Sequence, residues 1–161
     1  MDQRSFSSYK VGKGRTALVV DDVDDFRGYV ARVLQMLGFD VWQAQDAVAA
    51  MELLDEREHS PDVAVLDVSL PGLTGPELAT CLLDRWGEMG VVFMSGYAPN
   101  YLRNKGVLPD GATFLRKPFL LADVADAVSG VMATANPEDY QWAGEAFCVA
   151  QGADCLVAAA E

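Results

Sequence analysis

Four carboxylates stand within five positions near the start of the chain, in the stretch VVDDVDDF at residues 19–26. This stretch closes a run of apolar residues that predicts a buried strand. Carboxylates that point into one pocket repel each other and raise each other's pKa, unless a cation or a basic side chain lies between them. Some of these four carboxylates could therefore face a shared site, while the others face water.

Polar side chains also follow the other apolar runs. Asp21 and Asp22 follow the first run, Asp67 the third, Ser95 the fourth and Lys117 the fifth. In open α/β sheets, ligands bind beyond the carboxyl ends of the strands. We therefore expect three carboxylates, one hydroxyl and one ammonium group to meet at one edge of a sheet.

This set of groups suits phosphoryl transfer. Mg²⁺ is commonly held by one or two carboxylates together with phosphate oxygens and water. Lys117 would supply a compact positive charge for phosphate oxygens, and Ser95 a hydroxyl donor. A carboxylate such as Asp67 can itself be the nucleophile and form an aspartyl phosphate.

The elements that must position these groups are read from hydrophobic periodicity. Nearly continuous apolar runs predict parallel strands at 17–20, 63–66, 91–94 and 112–115, with a weaker one at 41–44. Apolar residues at helical spacing follow each run, with a short, poorly patterned helix near 99–105 and a last helix at about 119–133. The fold class is α/β, a doubly wound five-stranded parallel sheet with five helices over residues 16–133.

The two ends of the chain differ from this domain. Residues 1–15 are rich in serine and glycine and predict a flexible leader. Residues 134–161 predict a C-terminal helical extension, because Asn136 can cap a helix and Pro137 suits its first turn. A broad apolar belt there could pack on the domain or dock another protein or a second copy, giving a homodimer.

Composition limits the function classes. The net charge is −12, and residues 16–133 carry 18 acidic against eight basic side chains, so direct nucleic-acid binding is not expected. Cys81, Cys148 and Cys155 form no CxxC pair and indicate a reducing, cytoplasmic setting. No signal peptide and no apolar stretch of spanning length is visible, so we expect no membrane association.

The motifs together resemble a response-regulator receiver domain of two-component signalling, of the chemotaxis-protein-Y-like family. The resemblance rests on VVDD at 19–22, LDVSLPGLTG at 66–75, FMSGYA at 93–98 and FLRKPF at 114–119. It covers about three quarters of the chain. The last two motifs are similar to those of receivers attached to hybrid histidine kinases.

The resemblance implies a flavodoxin-like strand order of 2-1-3-4-5 and a role for each site residue. Asp67 would accept a phosphoryl group from a histidine kinase or a histidine phosphotransfer protein. Asp22, Asp67 and the carbonyl of Ser69 would bind Mg²⁺, and Asp21 would act mainly through bound water. Lys117 would bind a phosphate oxygen, Ser95 and Phe114 would form the switch, and the bond from Lys117 to Pro118 would be cis.

The resemblance also implies that the chain is not an enzyme beyond autophosphatase activity and that its output is contact with a downstream protein target. Onward transfer in a phosphorelay is an alternative output. A receiver-fold interaction module without working phosphorylation is a second alternative. A small hydrolase with an aspartyl nucleophile is a third, although the DxDx[TV] pattern typical of haloacid-dehalogenase-like enzymes is missing, since Phe26 stands where Thr or Val would.

The remaining charged residues have simpler interpretations. Asp24 and Asp25 fall where the first helix begins and are expected to serve as a cap and as first-turn charges. His59 is expected in an exposed loop.

Overall fold

The computed structural model describes residues 11–133 apart from residues 88 and 110. Within this part of the chain, five strands form one parallel sheet of order β2-β1-β3-β4-β5. The strands are β1 Thr16–Val20, β2 Asp40–Ala44, β3 Val63–Asp67, β4 Gly90–Ser95 and β5 Thr113–Arg116. Each strand boundary lies within one residue of its predicted position, and the predicted strand order is confirmed.

In the same described residues, five helices connect and follow the strands: α1 Asp24–Met36, α2 Ala47–Asp55, α3 Gly75–Trp86, α4 Pro99–Asn104 and α5 Leu121–Ala133. Side chains stabilise several of their starts. Asp46 accepts a hydrogen bond from the N–H of Ala49 at the start of α2, and Thr74 accepts one from Glu77 at the start of α3. The alternation of strands and helices confirms the α/β, doubly wound architecture.

Two helix starts differ from the sequence prediction. Val23, not Asp24 or Asp25, occupies the N-cap of α1, and it provides no side-chain cap. The two aspartates lie in the first turn, where their charge favours the positive end of the helix dipole. Helix α5 begins two residues later than expected because the N–H of Leu120 donates to Asp123 Oδ2 at 2.9 Å, which fixes the helix entry.

The core has one apolar layer on each side of the sheet. One layer packs α2, α3 and α4 against alternate strand residues, among them Leu18, Leu66 and Phe93. The other layer packs α1 and α5 against the opposite face, including Val19, Val65 and Met94. The central strands β1, β3 and β4 are buried on both faces, which explains why they read as continuous apolar runs.

Some expectations lie outside the described residues. These are the C-terminal helical extension with Cys148 and Cys155, and the first ten residues of the predicted leader. Among the described part of the leader, the N–H of Gly12 donates to the carbonyl of Leu37 at 3.0 Å. No helix in the described part of the chain is both long and apolar enough to cross a membrane.

Candidate functional site

The sheet brings the predicted site residues to one edge. Asp67 is the last residue of β3 and lies opposite Met94, while Ser95 closes β4 opposite Arg116 of β5. Lys117 comes one residue after β5, and its N–H donates to the carbonyl of Ser95 at 2.8 Å. Because β1 lies between β2 and β3, Asp21 enters the same edge beside Asp67.

Three carboxylates form the centre of the site. One oxygen from each of Asp21, Asp22 and Asp67 lies within 4.8 Å of the other two. Asp21 is 0% exposed and Asp67 6%, whereas Asp22 is exposed and faces solvent. The cluster is therefore anchored in the protein on one side and open to water and ligands on the other.

Lys117 lies against this cluster and pairs with two of its members. Its Nζ is 2.7 Å from Asp21 Oδ2 and 3.0 Å from Asp67 Oδ2. Burial acts to lower the pKa of Lys117, but the hydrogen bonds and the charges of Asp21 and Asp67 outweigh it, so the pKa lies above its ordinary value. The ammonium form is therefore retained in the site.

The surroundings of Asp67 have opposing effects on the pKa of its carboxylate. Burial raises its pKa above the ordinary value, and the charge of Asp21 acts in the same direction. The N–H of Ser69, 3.0 Å from Asp67 Oδ1, and the ammonium of Lys117 lower it. The net shift is upward, so Asp67 takes up a proton more readily than an exposed aspartate does.

The peptide carbonyl of Asp67 is also closely packed. A Cβ atom added to Gly75 would lie 2.3 Å from that oxygen, far inside van der Waals contact. The N–H of Gly75 donates to the carbonyl of Val68 at 2.9 Å. The start of α3 therefore packs directly against the end of β3, and only glycine fits at this position.

The two residues predicted to act as a switch are placed on β4 and β5. Ser95 is buried, and its Oγ accepts a hydrogen bond from the N–H of Tyr97 at 3.1 Å. Phe114 is half-buried, lies opposite Phe93 and packs against the α2–α3–α4 layer of the core. The bond between Lys117 and Pro118 is cis, as predicted.

Two residues of α1 belong to the site but were not predicted to do so. Arg27 donates from Nη1 to the carbonyl of Asp21 at 2.8 Å and from Nη2 to Asp24 Oδ1 at 2.6 Å. Lys117 Nζ lies 4.3 Å from the ring centroid of Phe26. Only the tertiary structure shows this contact, because Phe26 and Lys117 lie on elements that are far apart in the sequence.

Asp21 also has a contact that the sequence did not predict. In addition to its ion pair with Lys117, its Oδ1 accepts a hydrogen bond from the N–H of Val23 at 2.9 Å. His59 lies in an exposed loop, as predicted, with its ring 5.2 Å from that of Trp42.

The donor set fits a small, hard dication such as Mg²⁺. Its oxygens are carboxylates, the ligands that Mg²⁺ prefers, and the solvent-exposed side of the cluster leaves room for the water molecules that this ion retains. The cluster has three carboxylates, and one ammonium group pairs with two of them, so the local charge also suits a cation. Asp21, Asp22 and Asp67 could hold the metal.

Comparisons with known proteins agree with this geometry. Residues 17–129 match the family described as the response regulator receiver domain. The sensor kinase CckA of Brucella abortus (strain 2308) is 36% identical over 120 residues, which make up 73% of this chain and 12% of CckA. The transcriptional regulatory protein PrrA of Mycobacterium tuberculosis is 31% identical over 115 residues, 71% of this chain and 48% of PrrA. The chain thus spans half or less of these relatives.

Solved structures of other proteins share the fold of this chain. The receiver domain of NtrX from Brucella abortus superposes with a TM-score of 0.63 and 30% identity, over 73% of this chain and 98% of that one. The chemotaxis protein CheY4 of Vibrio cholerae superposes with a TM-score of 0.61 and 26% identity, over 73% and 98% of the two chains.

Proposed function

The chain belongs to the response regulator receiver domain family, and on that premise we propose that Asp67 accepts a phosphoryl group from a phosphohistidine. The donor would be a histidine kinase or a histidine phosphotransfer protein. The observation that carries this proposal is the position of Asp67, buried at the end of β3 beside Lys117 and two further carboxylates.

The chemistry follows from the groups around Asp67. One carboxylate oxygen attacks phosphorus, the new O–P bond forms, and the N–P bond of the phosphohistidine breaks with its electron pair passing to the imidazole nitrogen. The N–H of Ser69 holds one oxygen of Asp67, and Lys117 holds the other. This geometry restricts the nucleophile to a few orientations, which lowers the entropic cost of the reaction.

Phosphoryl transfer to Asp67 also requires that the negative charge of the site be offset. Phosphoryl transfer into a cluster of carboxylates is opposed by repulsion, and Lys117 offsets part of it from within hydrogen-bond distance of Asp21 and Asp67. Mg²⁺, when bound by Asp21, Asp22, Asp67 and the carbonyl of Ser69, would neutralise further charge on the carboxylates and on the phosphoryl oxygens. Of the three carboxylates in this set, Asp22 is the one exposed to solvent.

The output is proposed to be a change in protein contacts. Ser95, whose Oγ now accepts the Tyr97 N–H, would instead donate to a phosphoryl oxygen on Asp67. Phe114 lies on β5, the edge strand next to β4, where a rearrangement of this region would reach the surface. A downstream protein or a phosphorelay partner would recognise that surface.

The test is covalent modification of the whole chain. We expect incubation with acetyl phosphate and Mg²⁺ to add one phosphoryl group, detected by intact-mass spectrometry and removed by hydroxylamine, which cleaves acyl phosphates but not phosphoserine. Asp67→Asn should abolish the modification. Asp25→Asn is the matched control, because Asp25 is an exposed first-turn residue of α1, and it should be modified like the wild type.

If neither acetyl phosphate nor any histidine kinase modifies the wild-type chain at Asp67, the proposal is wrong. The receiver fold would then serve as an interaction module that does not depend on phosphorylation.

A further inference from the structure

Phe26 contacts the ammonium group of the site although the phosphoryl chemistry assigns it no role. It is half-buried in the first turn of α1, and Lys117 Nζ lies over its ring, 4.3 Å from the centroid. A cation over an aromatic face is attracted by the ring quadrupole. The ammonium group therefore has three described partners, Asp21, Asp67 and Phe26.

The Phe26 ring is itself held in place by two other rings. Phe119 meets it edge-on, with centroids 5.3 Å apart and an interplanar angle of 85°. Tyr29 lies 6.0 Å from Phe26, and its hydroxyl donates to the carbonyl of Phe119 at 3.1 Å. We call Phe26, Tyr29 and Phe119 the aromatic clamp. It joins α1 to the loop after β5, two residues from Lys117.

The clamp matters because Lys117 is flexible by nature. Its ammonium group stands on a four-carbon stem with several rotatable bonds, so an unsupported lysine samples many positions. Asp21 and Asp67 attract the ammonium group through charge, and one of these charges changes when Asp67 becomes an acyl phosphate. The Phe26 ring neither titrates nor reacts, so its attraction for the ammonium group does not depend on the charge of Asp67.

We propose that Phe26 is a positioning residue for phosphoryl transfer, holding the Lys117 ammonium group over its ring and directed toward the oxygens of Asp67. This inference rests on the proposed function of Asp67. Phe26 touches neither reacting atom and acts only through Lys117.

The test compares the phosphorylation rates of three variants with acetyl phosphate and saturating Mg²⁺. Phe26→Leu keeps an apolar side chain but removes the aromatic face. We expect a rate about two- to fivefold lower, the change that the loss of one partly exposed cation–π contact would produce. Phe26→Tyr restores an aromatic face and should restore the rate. Trp86→Leu is the matched control, because Arg85 lies 4.4 Å over the Trp86 ring in α3, away from Lys117, and it should leave the rate unchanged.

Two further measurements separate positioning from a general loss of structure. The Mg²⁺ affinity of Phe26→Leu, measured by calorimetry, should equal that of the wild type, because the carboxylates are unchanged. In the NMR spectrum, the ε-methylene protons of Lys117 should be shifted upfield by the ring current in wild type and Phe26→Tyr. This shift should disappear in Phe26→Leu.

The outcomes are distinct. If the wild-type chain is phosphorylated and Phe26→Leu is phosphorylated at the same rate, the inference about Phe26 is wrong, but the proposed function of Asp67 is not affected. Equal losses of rate in Phe26→Leu and Phe26→Tyr, or an unshifted Lys117 signal in the wild type, also overturn it. If no phosphoryl donor modifies the wild-type chain, both the proposed function and the inference about Phe26 are wrong.

Discussion

At the scale of residues, the site depends on how Asp67 and Lys117 shift each other's pKa. Burial alone would favour a neutral carboxyl and a neutral amine, since both charged forms lose hydration. The ion pairs among Lys117, Asp21 and Asp67 favour the charged forms. For Lys117 the pairing outweighs burial, and for Asp67 it does not, so both pKa values lie above their ordinary values. The site combines a permanent cation with a carboxylate that is protonated more easily than usual.

The raised pKa of Asp67 predicts how Mg²⁺ binding depends on pH. Because the pKa of Asp67 is raised, a proton competes with Mg²⁺ for its oxygens at a higher pH than it would for an aspartate with the ordinary value of 3.8. We therefore expect the Mg²⁺ affinity to fall progressively as the solution is acidified from neutral pH, measured by calorimetry in a series of buffers. Asp25→Asn should show the same profile. An affinity that stays constant down to pH 3.8 would contradict the expected shift.

At the scale of elements, the junction between β3 and α3 sets the position of Asp67. Thr74 caps α3, Pro76 lies in its first turn, and Gly75 between them packs against the carbonyl of Asp67. The loop from 68 to 74 thus returns the chain to the strand end it has just left. Asp67, the proposed phosphoacceptor, is held both by its side-chain partners and by close packing of its backbone.

Gly75→Ala tests this packing. The new Cβ would lie 2.3 Å from the Asp67 carbonyl oxygen and 3.1 Å from Val68 Cα, both of them backbone atoms that cannot move freely. We expect the free energy of unfolding, measured by urea denaturation, to fall by about 1–3 kcal/mol. The rate of Asp67 phosphorylation should fall as well, because the end of β3 must shift.

Gly28→Ala is the matched control for this substitution. Gly28 also lies in a helix, but a Cβ there would meet nothing within 4 Å. Alanine at this exposed position should be neutral or should stabilise the protein by about 0.5–1 kcal/mol. If the two variants were equally stable, close approach at Gly75 would not be what fixes the junction.

At the scale of the whole molecule, the sheet joins residues distant in sequence into one site. Lys117 and Asp21 are 96 positions apart, and Lys117 and Asp67 are 50 apart. Their contact depends on β1 and β3 being neighbours and on β5 following β4 at the sheet edge. The buried strands therefore determine both the stability of the domain and the geometry of its site.

Metal binding should consequently stabilise the entire domain. A ligand that binds only the folded state adds about 2.7 kcal/mol at one hundred times its dissociation constant. We expect Mg²⁺ to raise the thermal unfolding midpoint, measured by circular dichroism, and EDTA to reverse the effect. Asp22→Asn should abolish most of this increase, because it removes one carboxylate of the cluster.

Asp25→Asn should keep the full Mg²⁺-dependent increase, since Asp25 lies outside the cluster in the first turn of α1. An identical increase in Asp22→Asn and in the wild type would show that Asp22 is not a ligand.

The sequence by itself determined the five strands, the five helices of residues 16–133 and the polar site residues that end or follow four of the five strands. It could do so because strands buried on both faces leave continuous apolar runs and half-buried helices leave a repeat of about 3.6 residues. In addition, residues at the carboxyl ends of parallel strands share one edge of the sheet. The separation of Asp21 and Asp22 from Asp24 and Asp25 also followed from the sequence, although the cap itself proved to be Val23.

Only the tertiary structure decided which side chains touch. The pairing of Lys117 with both Asp21 and Asp67, its position over Phe26, the bond from Arg27 to the Asp21 carbonyl and the packing of Gly75 were not visible in any local pattern. Local periodicity reports whether a residue is buried, whereas a partner is selected by strand order, rotamer and distance. These are set only when the elements pack against one another.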